Sequence, residues 1–173
     1  MLVRELTADD APALRRLRLE ALRTAPSAFG ASHEEALRLT NDDFRQRIEA
    51  ASPGAIFGAF DADTLIGMAG VFLESGPKSR HKAFMWGVFV DSAHRGRGVA
   101  AALVLAVIAH ARGIAVVLNS AVVNNNAQAA ALYARLGFKT YGIERKALCI
   151  DSVFYDEALI AIDLHETGTR GIQ

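Results

Sequence analysis

The strongest constraint on this chain is an ordered triplet over residues 83–112: the apolar run AFMWGVFV, a short turn ending in RGRGVA, and an alanine-rich apolar stretch. Residues 83–90 are apolar almost throughout and predict a central strand covered on both faces. Residues 98–112 predict a helix stopped by Gly113, and residues 115–123 a β-branched strand. The three together form a βαβ-like unit. Arg95-Gly96-Arg97-Gly98-Val99-Ala100 lies where the first strand hands the chain to the helix. Glycines let backbone approach an anion closely, and the N–H groups of a helix start point outward with the positive end of the dipole behind them. The run is therefore a candidate phosphate cradle, the alternative being a strand-to-helix turn with solvated arginines.

The flanking sequence predicts a single α+β domain over residues 1–165. A first strand covers residues 2–6, and Thr7-Ala-Asp-Asp10 offers a capping-box start to a helix whose apolar face is Leu14, Leu17, Leu19, Ala21 and Leu22. Residues 24–32 read as a loop and 41–50 as a second helix, ended by Ser52-Pro53-Gly54. Strands follow at 56–60 and 65–73, joined by an acidic turn, with a looser turn at 74–80. Asn124-Asn-Asn126 turns the chain into a helix at 127–136, which Gly137 ends. Strands at 139–147 and 153–164 close the domain, and 166–173 reads as a flexible C-terminal tail.

Charge narrows the function. Nineteen Lys and Arg balance nineteen Asp and Glu, so no global field draws nucleic acid or an anionic membrane, and an anion site must be local. The apolar run of residues 99–109 is too short to cross a hydrocarbon core of ~30 Å. No signal-peptide or lipidation pattern stands at Met1, and the chain is expected to be cytoplasmic. The lone cysteine, Cys149, excludes an internal disulfide framework and is expected to be a small buried hydrophobe. His33, His81, His94, His110 and His165 show no metal-ligand spacing, so no metal is expected. Ser120 and Ser152 lack a nucleophile-elbow context.

RGRGVA and the downstream run NNNAQAAALYARLGF together resemble the GNAT superfamily of N-acetyltransferases. Arg95, Gly98 and Ala100 match its acyl-CoA motif, and Asn126, Ala129, Leu132, Tyr133, Gly137 and Phe138 match its second motif at every position. The resemblance covers residues 55–165 firmly and the first fifty by element order. It implies a mixed, mostly antiparallel twisted sheet of six to seven strands with about four helices on both faces. It also implies an enzyme that moves an acetyl group from acetyl-CoA to a primary amine by direct transfer through a tetrahedral intermediate. The acceptor would be a small-molecule amine or a protein amino group, and a homodimer is a family habit.

Residue by residue, the resemblance places the pyrophosphate of acetyl-CoA on the amides of Arg95, Gly96, Arg97, Gly98, Val99 and Ala100. It gives Val88, Phe89 and Val90 the pantetheine through their backbone. Gly87 would ease a bulge or simply pack against Trp86. Asn126 is a helix cap, a cofactor contact or both. Tyr133 is the general acid for the departing thiolate, whereas without the resemblance it reads as a core tyrosine. The general base is open: the strand AFMWGVFV carries no carboxylate, and Glu34, Glu35, Glu74, Asp91, Glu157 or a water relay remain. The segments around residues 26–35 and 141–155 are expected to border the acceptor groove. A non-catalytic acyl-CoA-binding regulatory module is the alternative, while a dinucleotide-binding Rossmann unit is disfavoured by the late position of the glycine loop.

Overall fold

The computed structural model describes residues 1–165, so the expected tail at 166–173 lies outside the described residues. Seven strands, β1 (Leu2–Glu5), β2 (Ala55–Asp61), β3 (Thr64–Leu73), β4 (Lys82–Val90), β5 (Val117–Val123), β6 (Lys139–Ile150) and β7 (Val153–Asp163), form one sheet. Their order is β1-β2-β3-β4-β5-β7-β6. Every pair is antiparallel except β4–β5, where the βαβ crossover makes the strands parallel. Five α-helices complete the α+β fold: α1 (Ala11–Thr24), α2 (His33–Leu37), α3 (Asn41–Glu49), α4 (Val99–Ala111) and α5 (Ala127–Arg135). No described helix is long and apolar enough to cross a membrane.

Period-2 alternation in the strands divides the core between the two faces of the sheet. On one face, Leu103, Val104 and Val107 of α4 and Tyr133 of α5 pack with Ala69, Val71, Met85, Leu118 and Ile160. On the other, Leu14, Leu17 and Leu22 of α1 and Phe44 and Ile48 of α3 pack with Ile56, Leu65, Met68 and Phe89. Successive residues of β4 thus point to opposite layers, Phe89 toward α1 and Val90 toward α4.

Local capping chemistry sets the helix starts. The Asp10 carboxylate accepts from the Thr7 N–H at 2.7 Å, as the capping-box reading requires, and also receives both Nη atoms of Arg4 at 2.7 and 2.8 Å. The box opens a 3₁₀ turn at Ala8–Asp10, and α1 proper begins at Ala11 with Pro12 in its first turn. The Arg4 guanidinium holds the Asp10 carboxyl down at about 2. Because its folded pKa lies below the ordinary carboxylate value, this pairing stabilises the fold above that range and is lost as pH falls toward 2.

Two differences from the sequence reading have clear causes. Helix α2 was not expected, because residues 24–32 are rich in breakers. Its start is nevertheless a second capping box, in which the Glu35 N–H donates to the Ser32 hydroxyl at 3.2 Å and the Glu35 carboxylate accepts from the Ser32 N–H at 3.0 Å. Strand β6, expected to end at 147, continues to Ile150 after a register shift between Glu144 and Leu148. Asp156 of the partner strand holds that irregularity, accepting from the Lys146 N–H at 2.8 Å and from Arg145 Nη1 at 2.7 Å.

Candidate active site

The sheet opens where β4 meets β5. These strands pair only from Lys82 with Val117 to Phe84 with Asn119, and beyond that point they diverge. The Ser120 hydroxyl closes the fork by donating to the Met85 carbonyl at 2.9 Å. Past it, residues 86–90 of one strand and 121–123 of the other line a cavity of about 750 Å³, large enough for a small organic ligand. The expectation that residues 83–90 are covered on both faces is corrected here. Ala83 and Met85 are fully buried, but Trp86, Gly87 and Val88 are only half-buried, because β4 has lost its neighbour on that side.

A bulge sharpens the opening. Met68 faces Phe89 and Gly70 faces Trp86, so Gly87 and Val88 together oppose Ala69 alone. Gly87 has φ +68°, which turns the strand without the steric cost a side chain would add. The Trp86 indole packs directly against Gly70, where a Cβ would run into the ring. The bulge reading of Gly87 therefore holds, whereas the glycine that Trp86 packs against is Gly70 and not Gly87.

The cradle follows directly. Residues 92–94 make a 3₁₀ turn capped by Asp91, whose carboxylate accepts from the Ala93 N–H at 2.9 Å. Gly96 and Gly98 both take left-handed backbone, φ +76° and +78°, and a Cβ at either would stand in open space. Gly98 is the N-cap of α4, whose first N–H groups have no intrahelical acceptor. Arg95 is tied down by its Nε, which donates to the Val90 carbonyl at 3.1 Å. Val88, Phe89, Val90, Arg95, Gly96, Gly98, Val99, Ala100, Asn126 and Tyr133 all line the cavity, and Arg97 does not. The Phe89 side chain belongs to the α1 layer, so what Phe89 offers a ligand is chiefly backbone.

Helix α5 forms the far wall. The Asn126 side chain caps it, accepting from the Ala129 N–H at 3.1 Å, and Gly137 ends the turn that follows it at φ +97°. Tyr133 is 7% exposed and meets Phe138 edge-on at 5.7 Å between centroids. Burial pushes its phenol up to about 12, so it is protonated at neutral pH.

Among the carboxylates considered as bases, the structure separates one from the rest. Glu35 is consumed by the α2 cap, Glu74 pairs with Lys82 at 3.5 Å, and Asp91 caps the turn before the cradle. Glu34 is exposed and does not line the cavity. Glu157 of β7 is the one carboxylate lining it among the described residues. Burial, with Glu144 opposite it across the hairpin, raises its carboxyl above the ordinary value. Since Ala158, Ile160 and Ile162 pack into the α4 layer, alternation puts Glu157 on the α1 face.

Arg18 is the residue that sequence reasoning missed. It lies on the buried stripe of α1, four residues from both Leu14 and Leu22, where a cation is out of pattern. Its guanidinium sits over the Phe29 ring at 4.6 Å and 6.0 Å from Trp86, at the cavity wall. Cys149, expected to be buried, is exposed on β6. Among the described residues, no group of His, Cys, Asp and Glu is placed to hold a metal ion. His94 lies 3.6 Å from Asp61 and 3.9 Å from Asp91, beside the cradle.

This geometry has many counterparts. The chain superposes on a ribosomal-protein-alanine N-acetyltransferase from Brucella melitensis with a TM-score of 0.84 and 23% identity, covering 94% of this chain and 99% of that one. An acetyltransferase from Salmonella typhimurium, solved with its cofactor acetyl-CoA, gives 0.85 at 19% identity over 99% and 98%. A GCN5-related N-acetyltransferase from Kribbella flavida gives 0.76 at 26% identity over 94% and 96%. Curated protein sequences return no significant match. The sequence model of the acetyltransferase (GNAT) family matches residues 13–138, a span running from α1 through the cradle to the end of the Tyr133 motif. With the fork, the cradle and that match in agreement, the chain belongs to the acetyltransferase (GNAT) family.

Proposed function

We propose that the chain transfers the acetyl group of acetyl-CoA to a primary amine, with the donor entering from the α4 and α5 face and the acceptor from the α1 face. The observation that carries this reading is the fork between β4 and β5, which makes a passage through the sheet bordered by the cradle, by Tyr133 and by Glu157. A diphosphate placed at residues 95–100 receives the free amides of the α4 start. A pantetheine arm running back along residues 88–90 finds N–H and C=O groups that β5 does not use. The acetyl group then reaches the bulge at Gly87.

An alkyl ammonium near pKa ~10.4 must lose its proton before it can attack. Glu157, directly or through a water, accepts that proton, and its raised pKa makes it a stronger base than an ordinary glutamate. The amine nitrogen bonds to the thioester carbon, and backbone N–H groups at the bulge stabilise the oxyanion. On collapse the C–S bond breaks and Tyr133 gives its proton to the sulfur. A thiolate in the same apolar cavity is raised in proton affinity for the reason the phenol is, so burial of both preserves the driving force.

Thiol release from acetyl-CoA over a panel of amines and peptides tests the reading. Release with at least one acceptor is the expected result, and tight acetyl-CoA binding without release on any would favour a non-catalytic module. Glu157→Gln is expected to lower kcat/KM by roughly hundredfold. It should also remove the acid limb of the pH profile, which in the wild type lies above the ordinary glutamate range; an unchanged limb would assign the base elsewhere. The exposed apolar side chains Tyr141, Ile143, Val153 and Phe154 on the last hairpin support a homodimer, which sedimentation analysis would detect.

A further inference from the structure

Helix α1 carries three neighbouring arginines, and two are satisfied by backbone. Arg15 Nε donates to the Leu39 carbonyl at 2.7 Å, and Arg16 Nη2 donates to the Leu65 carbonyl at 2.9 Å. Arg18 differs. Its Nη1 is buried with no hydrogen-bond partner, and no carboxylate among the described residues pairs with it. Burying part of a cation without a partner costs free energy that packing alone would avoid with a leucine or methionine at this stripe position. The group is also held in place: Phe29 stacks at 4.6 Å, and Nη1 lies beside the bulge, 3.6 Å from where a Cβ at Gly87 would stand.

From this juxtaposition we propose that Arg18 recognises a carboxylate on the acceptor, so that the substrate is a small amine carrying a carboxylate group. This rests on the acetyltransferase reading above and names its acceptor class. A guanidinium offers a planar fork that pairs with a carboxylate through two parallel hydrogen bonds, a match specific to that shape. Burial and the charge of nearby Arg47 bring the Arg18 value down to about 10, so it remains a cation at neutral pH. Glu157 lines the same cavity, and alternation along β7 puts it on the α1 face, so an acceptor for the amine's proton and a cation for its carboxylate border one ligand space. Phe29, Trp86 and Leu148 supply apolar wall to the same cavity. A cavity of about 750 Å³ shared with the end of a pantetheine arm leaves room for a small acceptor.

Binding of reaction products tests the proposal without requiring turnover. N-acetyl-L-alanine and N-acetyl-L-phenylalanine would be titrated against their uncharged amides, with CoA saturating, following the emission of Trp86, the single tryptophan. At least one acid should bind roughly tenfold or more tighter than its amide. Arg18→Met, which keeps an apolar stem over Phe29, should abolish that preference while leaving amide binding unchanged. Arg18→Lys should retain part of it. In turnover the same loss should appear in KM rather than kcat, with CoA affinity unmoved. Equal binding of acids and amides, binding of none of the four probes, or a preference that survives Arg18→Met would overturn the proposal. Acid-selective binding with no thiol release on any amine would count against the transferase reading and for this one. Turnover of amines with no preference for carboxylates would do the reverse.

Discussion

Replacing Tyr133 with phenylalanine is expected to lower kcat by roughly hundredfold or more while leaving acetyl-CoA affinity within about a factor of two. The substitution removes one oxygen and preserves the ring that meets Phe138 at 5.7 Å, so packing in the α4 layer is conserved. In the proposed mechanism, what is lost is the proton for the departing sulfur. Single-turnover thiol release gives the rate and calorimetric titration gives the affinity. If affinity falls in step with the rate, Tyr133 shapes the pocket and another group protonates the thiolate. A phenol pushed up to about 12 adds a second expectation: no descending limb from Tyr133 should enter the profile below pH ~10.

The second large effect is expected at the cradle. Gly98→Asp should weaken acetyl-CoA binding by roughly hundredfold, because it sets a carboxylate in the proposed diphosphate site and against the amides that would hold the diphosphate. The Cβ itself meets nothing within 4 Å, so the fold has space for the residue. Left-handed backbone at φ +78° costs a non-glycine residue about 1 kcal/mol, a few degrees of Tm at most. Gly98→Ala carries at least that strain without the charge and should bind acetyl-CoA far better than the aspartate variant. Equal loss in both variants would mean that backbone conformation, and not an anion site, is what Gly98 supplies.

How much of this was legible in the residues depended on whether the signal was local. The glycine turn before α4, the βαβ unit and the helix after Asn126 rest on short-range chemistry: glycine φ, asparagine capping and apolar periodicity. They stand within a residue or two of where the sequence places them. Helix α2 also had a local signal, the Ser32 and Glu35 pair, but the breakers before it masked a helix only five residues long. The fork was legible only through the family resemblance, which implies that the strand at 86–90 splays from its neighbour; periodicity alone does not give it, because strand divergence is a property of two segments more than thirty residues apart. Residues 83–90 look like a strand buried on both sides even though half of it faces a cleft. The choice of Glu157 over four other carboxylates is likewise tertiary, decided by which side chains capping and ion pairing had already claimed. Arg18 had a trace in the sequence, a cation four residues from leucines on the apolar stripe, but periodicity cannot tell a satisfied arginine from an unsatisfied one.

The most direct test of the acetyl-CoA site is a crystal structure of this protein with acetyl-CoA bound. The expected result has diphosphate oxygens within hydrogen-bond reach, about 3 Å, of amides in residues 95–100. The pantetheine should lie in the fork along residues 88–90, with the thioester sulfur about 3–4 Å from the Tyr133 hydroxyl. A diphosphate bound away from the α4 start, or a thioester on the far side of the sheet from Tyr133, would contradict it.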